Sequence, residues 1–125
     1  METKHYVPLE IARQLKEKGY PQDSCDMYYN PNGELRTQVE LIAGYKEDYP
    51  IMIKYYYVAP AYCEVLDWLV ESKEICIDIE VLLNGKWVCS LWDKKREFTI
   101  GETLEYSARE QAINAAIVRV LEEMI

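Results

Sequence analysis

The segment Ile75-Cys76-Ile77-Asp78-Ile79-Glu80-Val81 alternates its side chains with a period of two, and Asn84-Gly85 then turns the chain into Lys86-Trp87-Val88-Cys89-Ser90-Leu91-Trp92. A period of two with one apolar set is the mark of a strand that buries one face, and Asn-Gly accepts the left-handed backbone of a hairpin turn. Two registers compete. A two-residue loop would set Leu83 opposite Lys86 and put Trp87, Cys89 and Leu91 on the face away from the isoleucines. A three-residue loop with Gly85 in a bulge position pairs Leu82 with Lys86 and places Ile77, Ile79 and Val81 beside Trp87, Cys89 and Leu91. The second register is preferred because it gathers the apolar side chains and leaves Asp78, Glu80, Ser90 and Trp92 opposite.

Outward from this hairpin, the spacing predicts a helix from about Ala61 to Lys73. Tyr62, Val65, Leu66 and Leu69 form one face, widened by Trp68, and Glu64, Asp67 and Glu71 lie on the other. The acids read as a solvated face rather than a cation site, since no partner motif accompanies them. On the other side, Phe98 to Tyr106 contains a third strand interrupted by Gly101. Ser107-Ala108-Arg109-Glu110 fits a capping box opening a last helix to about Met124, whose buried stripe is Ile113, Ala116, Ile117, Val120, Leu121 and Met124.

Towards the N-terminus, Ile51-Met52-Ile53-Lys54-Tyr55-Tyr56-Tyr57 is expected to be a strand, from its β-branched and aromatic content, ended by Pro60. Alternation then sets Tyr55 and Tyr57 on one face and Tyr56 on the other. A first helix runs from about Pro8 to Lys18, with Ile11, Ala12 and Leu15 inward. Met27-Tyr28-Tyr29, the turn Asn30-Pro31-Asn32-Gly33, and Leu35 to Ala43 read as a second hairpin. Residues 35–43 also fit helical spacing, and the strand is only preferred. Together these elements predict an α+β fold, an antiparallel sheet packed by helices. The chain reads as a single domain over 1–125, with an N-terminal helix and hairpin in 1–50 and an α+β core in 51–125.

At 125 residues the chain is long enough to bury a core without staples, and half of it is apolar. Eleven tyrosines against one phenylalanine imply many rings at the rim of the core or on a contact surface, where the hydroxyl finds water or a partner. A net charge of −8 repels phosphate backbones and anionic lipid, and the one basic cluster, Lys94-Lys95-Arg96, reads as a solvated loop. No apolar run reaches the roughly 20 residues of a membrane span. No signal peptide opens the sequence, and Cys25, Cys63, Cys76 and Cys89 include no close pair, so reduced thiols in the cytoplasm are expected.

Motifs of catalysis are missing. His5 is the only histidine, near an end expected to fray; the five glycines form no phosphate-binding loop; and the cysteine spacing gives no zinc signature. No enzyme, no cofactor and no metal is therefore expected. The aromatic residues point instead to contact with another protein, with Tyr55, Tyr57 and Trp92 beside neighbouring acids as the candidate binding residues.

Two resemblances bear on this. The order helix, strand, strand, strand, helix from Ala61 onward, with Ser107-Ala108-Arg109-Glu110-Gln111-Ala112-Ile113-Asn114-Ala115-Ala116 as last helix, resembles a double-stranded-RNA-binding domain. That family presents lysines to phosphates at the start of this helix, where this chain has one Arg109 beside Glu110. The resemblance implies a related shape and, as an alternative function, a nucleic-acid binder or acidic nucleic-acid mimic. More broadly, Tyr20-Pro21-Gln22, Asn30-Pro31-Asn32-Gly33-Glu34-Leu35, Tyr57-Val58-Ala59-Pro60 and Val65-Leu66-Asp67-Trp68-Leu69, with the last helix ending Ala115-Ala116-Ile117, resemble a family of small uncharacterised proteins of gut bacteria and of their phages and mobile elements. That resemblance covers most of the chain and implies an intracellular setting and an accessory role; the aromatic surface is read separately as binding a host or phage protein.

Overall fold

The computed structural model describes residues 5–94 and 98–125, and its class is α+β, with two small antiparallel sheets and helices. Lys95 and Arg96 of the expected basic loop lie outside the described residues. The chain divides into two compact units, the first ending at Ala61 and the second running from Tyr62 to Ile125.

In the first unit, α1 (Leu9–Glu17) carries Ile11, Ala12 and Leu15 inward, as its three-and-four spacing requires. A left-handed Gly19 (φ +91°) follows it. β1 (Met27–Tyr29) pairs antiparallel with β2 (Leu35–Thr37) on one side and with β3 (Tyr57–Val58) on the other. The first hairpin is built by Asn30, whose side-chain oxygen accepts the N–H groups of Asn32 and Glu34, both at 2.9 Å, while Gly33 takes φ +90°. All three residues of β1 are buried, and the Tyr29 hydroxyl donates to the Val7 carbonyl at 2.7 Å.

Two expectations for this unit are corrected. Residues 35–43 are neither all strand nor all helix: β2 stops at Thr37, whose hydroxyl accepts the Glu40 N–H at 3.2 Å and so caps α2 (Gln38–Tyr45). Residues 51–57 are not one strand. α3 (Tyr49–Met52), with Pro50 in its first turn, passes into a 3-10 turn over Ile53–Tyr55, and only Tyr57 and Val58 pair, against Tyr29 and Tyr28. The physical reason is the partner. β1 is three residues long, so a seven-residue strand would have left most of its backbone groups unpaired, and local turns satisfy them instead.

In the second unit, α4 (Tyr62–Lys73) leads through Glu74, in left-handed conformation at φ +57°, into the meander β4 (Ile75–Val81), β5 (Trp87–Asp93) and β6 (Phe98–Glu102). The register is the bulged one. Ile77 faces Leu91, Ile79 faces Cys89 and Val81 faces Trp87. The Leu82 N–H reaches the Lys86 carbonyl at 2.7 Å across a loop closed by Gly85 at φ +83°. α5 (Arg109–Glu123) packs across β5 and β4 and buries Ala112, Ile113, Ala116, Ile117, Val120 and Leu121 against Cys89 and Leu91, which are themselves fully buried. Met124, expected in that stripe, is half-buried at the helix end.

The start of α5 differs by one residue from the expected cap. Ala108 occupies the cap position, and it is Gln111 whose side-chain oxygen accepts the Ala108 N–H at 3.2 Å, with Ser107 Oγ donating to the same oxygen at 3.3 Å. β6 runs on through Gly101, but its pairing with β5 slips there, Leu91 facing Gly101 and Trp92 facing Thr99. The glycine also makes room. A side chain there would meet the Arg119 guanidinium at 2.7 Å, which lies across the strand and donates to the Glu102 carbonyl at 3.1 Å.

Candidate functional site

Four large apolar side chains of the first unit stand in water along one stretch of sequence. Val39 is 76% exposed, Ile42 46%, Ile51 59% and Tyr55 62%. Local structure explains each. α2 turns Gln38, Leu41 and Tyr45 inward, and the same three-residue spacing carries Val39 and Ile42 outward. In α3, Tyr49 and Met52 are half-buried, which leaves Ile51 out. The 3-10 turn ends at Tyr55, where the chain becomes extended and sends Tyr56 into the core.

Beside these elements is an open cleft of about 550 Å³ whose lining is mostly apolar, with Tyr28, Tyr49 and Ile53 as walls and Gln22, Gln38 and Lys16 among its polar groups. The polar groups bond to one another. Gln38 Nε2 donates to the Tyr49 hydroxyl at 3.2 Å, the Tyr28 hydroxyl donates to the Gln22 carbonyl at 3.0 Å, and the Gln22 side-chain oxygen accepts the Val58 N–H at 3.1 Å. Lys16 Nζ donates to the Lys54 and Tyr56 carbonyls at 2.6 and 2.9 Å, which holds the 3-10 turn on α1. Burial lowers the Lys16 ammonium from its ordinary value. Burial, then the neighbouring Tyr49, pushes the Tyr28 hydroxyl up to about 12. A phenol with that affinity for its proton is a neutral hydrogen-bonding group near neutral pH, suited to holding a ligand edge rather than to taking a proton.

The residues singled out from sequence separate. Tyr55 is the exposed ring at the end of the 3-10 turn. Tyr57 is half-buried, with the Arg13 guanidinium 5.6 Å and the Lys16 ammonium 5.0 Å from its ring centre, so its face is occupied by cations of α1. Trp92 belongs to the second unit, half-buried in β5 and paired with Cys76 of β4 and Thr99 of β6. Sequence reasoning missed Val39, Ile42 and Ile51. The signal for the first two was the helical reading of residues 35–43, which puts them three apart. Ile51 was concealed by the strand reading of its segment.

Among the described residues, no group of three or more His, Cys, Asp or Glu is placed to hold a metal ion, and no helix is long and apolar enough to cross a membrane. Compared with known protein families, with curated proteins and with solved structures, the chain matches none.

Proposed function

We propose that the chain is a non-enzymatic protein-interaction module, of the accessory kind carried by phages and mobile elements, and that α2, α3 and the Tyr55 turn form its docking face. The observation that carries this reading is the exposure of Val39, Ile42, Ile51 and Tyr55 in a unit whose other large apolar side chains are buried or half-buried. Apolar surface costs roughly 25 cal/mol per Å² in water, and a contact that covers it recovers that cost. Exposed acids lie among these residues, Glu40, Glu47 and Asp48, so the partner that fits is a protein with apolar anchors and a basic rim. Four cysteines with no disulfide among them, Cys63 exposed, fit a reducing compartment such as the cytoplasm.

The alternative, a nucleic-acid binder or acidic mimic, draws on the helix, three-strand, helix order of the second unit. Its weakness is electrostatic. The start of α5 offers one exposed Arg109 next to Glu110, in a chain of net charge −8. The test is a photo-crosslinking amino acid in place of Tyr55, with the same group in place of exposed Ser72 on α4 as control. The interaction reading predicts a discrete protein adduct from position 55 and none from 72. No adduct from 55, together with salt-sensitive binding of duplex RNA, would replace it by the nucleic-acid reading.

A further inference from the structure

Among the described residues, β4 is an edge strand whose outer side is unpaired. Two bonds bracket its ladder with β5: the Leu82 N–H to the Lys86 carbonyl at 2.7 Å and the Lys94 N–H to the Glu74 carbonyl at 2.8 Å. In an antiparallel pair the inward-bonding residues alternate, so residues 74, 76, 78, 80 and 82 point their backbone groups at β5. Ile75, Ile77, Ile79 and Val81 point theirs outward, and among the described residues no backbone hydrogen bond reaches them. A regular seven-residue edge of this kind is a template for an added strand.

The side chains specify what strand would fit. On one face Ile77 and Ile79 are half-buried and Val81 is 58% exposed, beside the layer that α5 covers, so apolar side chains of a guest would extend that layer. On the other face Asp78 and Glu80 are exposed, and a hollow of about 440 Å³ has Glu80, Glu102 and Glu105 on its rim with Val88 and Leu104 as apolar wall. Lysine or arginine fits there, with its stem on the apolar wall and its charge among the acids.

A second copy of the chain fits poorly. Antiparallel pairing of β4 with itself must match outward residues with outward residues, so even-numbered residues face even-numbered ones. Asp78 then falls opposite Asp78, Glu80 or Glu74 of the other copy, or, with Cys76 opposite Asp78, Glu80 falls opposite Glu74. Like charges directly opposite destabilise each of these registers. We infer that β4 captures an extended segment of a partner protein whose side chains alternate basic with β-branched, adding it as a fourth strand to the sheet of the second unit. This rests on the reading of the chain as a protein-binding module but uses a surface other than the α2 and Tyr55 face.

The test uses the full chain and a synthetic peptide alternating lysine with valine, its twin N-methylated at every second amide, and a glutamate-for-lysine counterpart. Titration should show the lysine peptide binding about tenfold or more tighter than either control, because methylation removes the donors of the ladder. The double variant Asp78→Lys, Glu80→Lys should reverse the preference between the lysine and glutamate peptides while its circular dichroism stays native. Equal binding of the methylated twin would mean simple charge attraction and would overturn the inference, as would no binding of the lysine peptide. A dimer of the free chain that the double variant dissolves would overturn it in favour of a second copy. None of these outcomes affects a crosslink from position 55.

Discussion

The Tyr45 and Tyr56 hydroxyls lie 2.6 Å apart, with their rings edge to face at 6.1 Å and 81°. This pair sorts three consecutive tyrosines that sequence presents as equivalent. Tyr56 is 7% exposed and belongs to the core, Tyr57 lies under the cations of α1, and only Tyr55 is free for a partner. Tyr55→Ser should therefore change unfolding free energy by about 0.5 kcal/mol or less, and Tyr56→Ala should cost roughly 3 kcal/mol or more. Urea denaturation of the two variants checks the contrast, and comparable losses would contradict it.

Alkaline pH should destabilise the fold through two of these rings. Burial, then the hydrogen bond with Tyr45, pushes Tyr56 up to about 12, and Tyr28 reaches about 12 through burial and Tyr49. Both groups are neutral when protonated, and the folded state holds the proton more tightly than the unfolded chain, where a tyrosine ionises near 10. Their contribution is complete below about pH 10 and is lost as pH rises from about 10 to about 12. Between about pH 10 and about pH 12 the urea midpoint should fall, and less steeply in Tyr56→Phe than in the wild-type chain. A midpoint that rises above pH 10 would refute the assignment.

Thiol chemistry separates the cysteines. Cys63 is exposed on α4, whereas Cys89 is fully buried between β5 and α5 and burial pushes its thiol up to about 11. The thiolate is the reactive form, so Cys63 should be alkylated first and Cys89 last, at the rate at which the second unit opens. Mass spectrometry of a timed iodoacetamide reaction gives the order. Early labelling at Cys89 would place β5 wrongly.

The β4–β5 turn depends on one backbone conformation. Gly85 sits at φ +83° with nothing near enough to obstruct a side chain, so Gly85→Ala meets backbone strain alone. The expected loss is about 1 kcal/mol, read as a lower denaturation midpoint with an unchanged slope. Asn84→Ala removes a different support, the 2.9 Å bond from the Lys86 N–H to its side-chain oxygen and the 3.0 Å bond to Glu105.

The second unit was far more legible in the sequence than the first, for a physical reason. The strands β4 and β5 pair over their whole length, so gathering the apolar side chains on one face favours one of the two registers the turn allows, the one with Leu82 against Lys86. In the first unit the sheet is three residues deep, and propensity competes with local turns on nearly equal terms. Ile51 and Ile53 favour a strand in isolation but find none to pair with, while Thr37 ends one strand and caps a helix in the same residue. The exposed apolar side chains divide accordingly: the sequence singles out Tyr55 but not Val39, Ile42 or Ile51, and it gives no sign that Arg13 and Lys16 cover the Tyr57 ring. An exposed apolar side chain has no pattern of its own in sequence, because it differs from a buried one only in what fails to pack on it.

The most direct measurement is quantitative capture from an extract of the native cells, comparing the wild-type chain with a variant carrying Val39→Ser, Ile42→Ser, Ile51→Ser and Tyr55→Ser. These positions are exposed, so the variant should fold, which circular dichroism and an unchanged urea midpoint verify. The account predicts a protein retained by the wild-type chain and depleted about tenfold or more with the variant. Identical sets of captured proteins from the two folded chains would contradict the docking face.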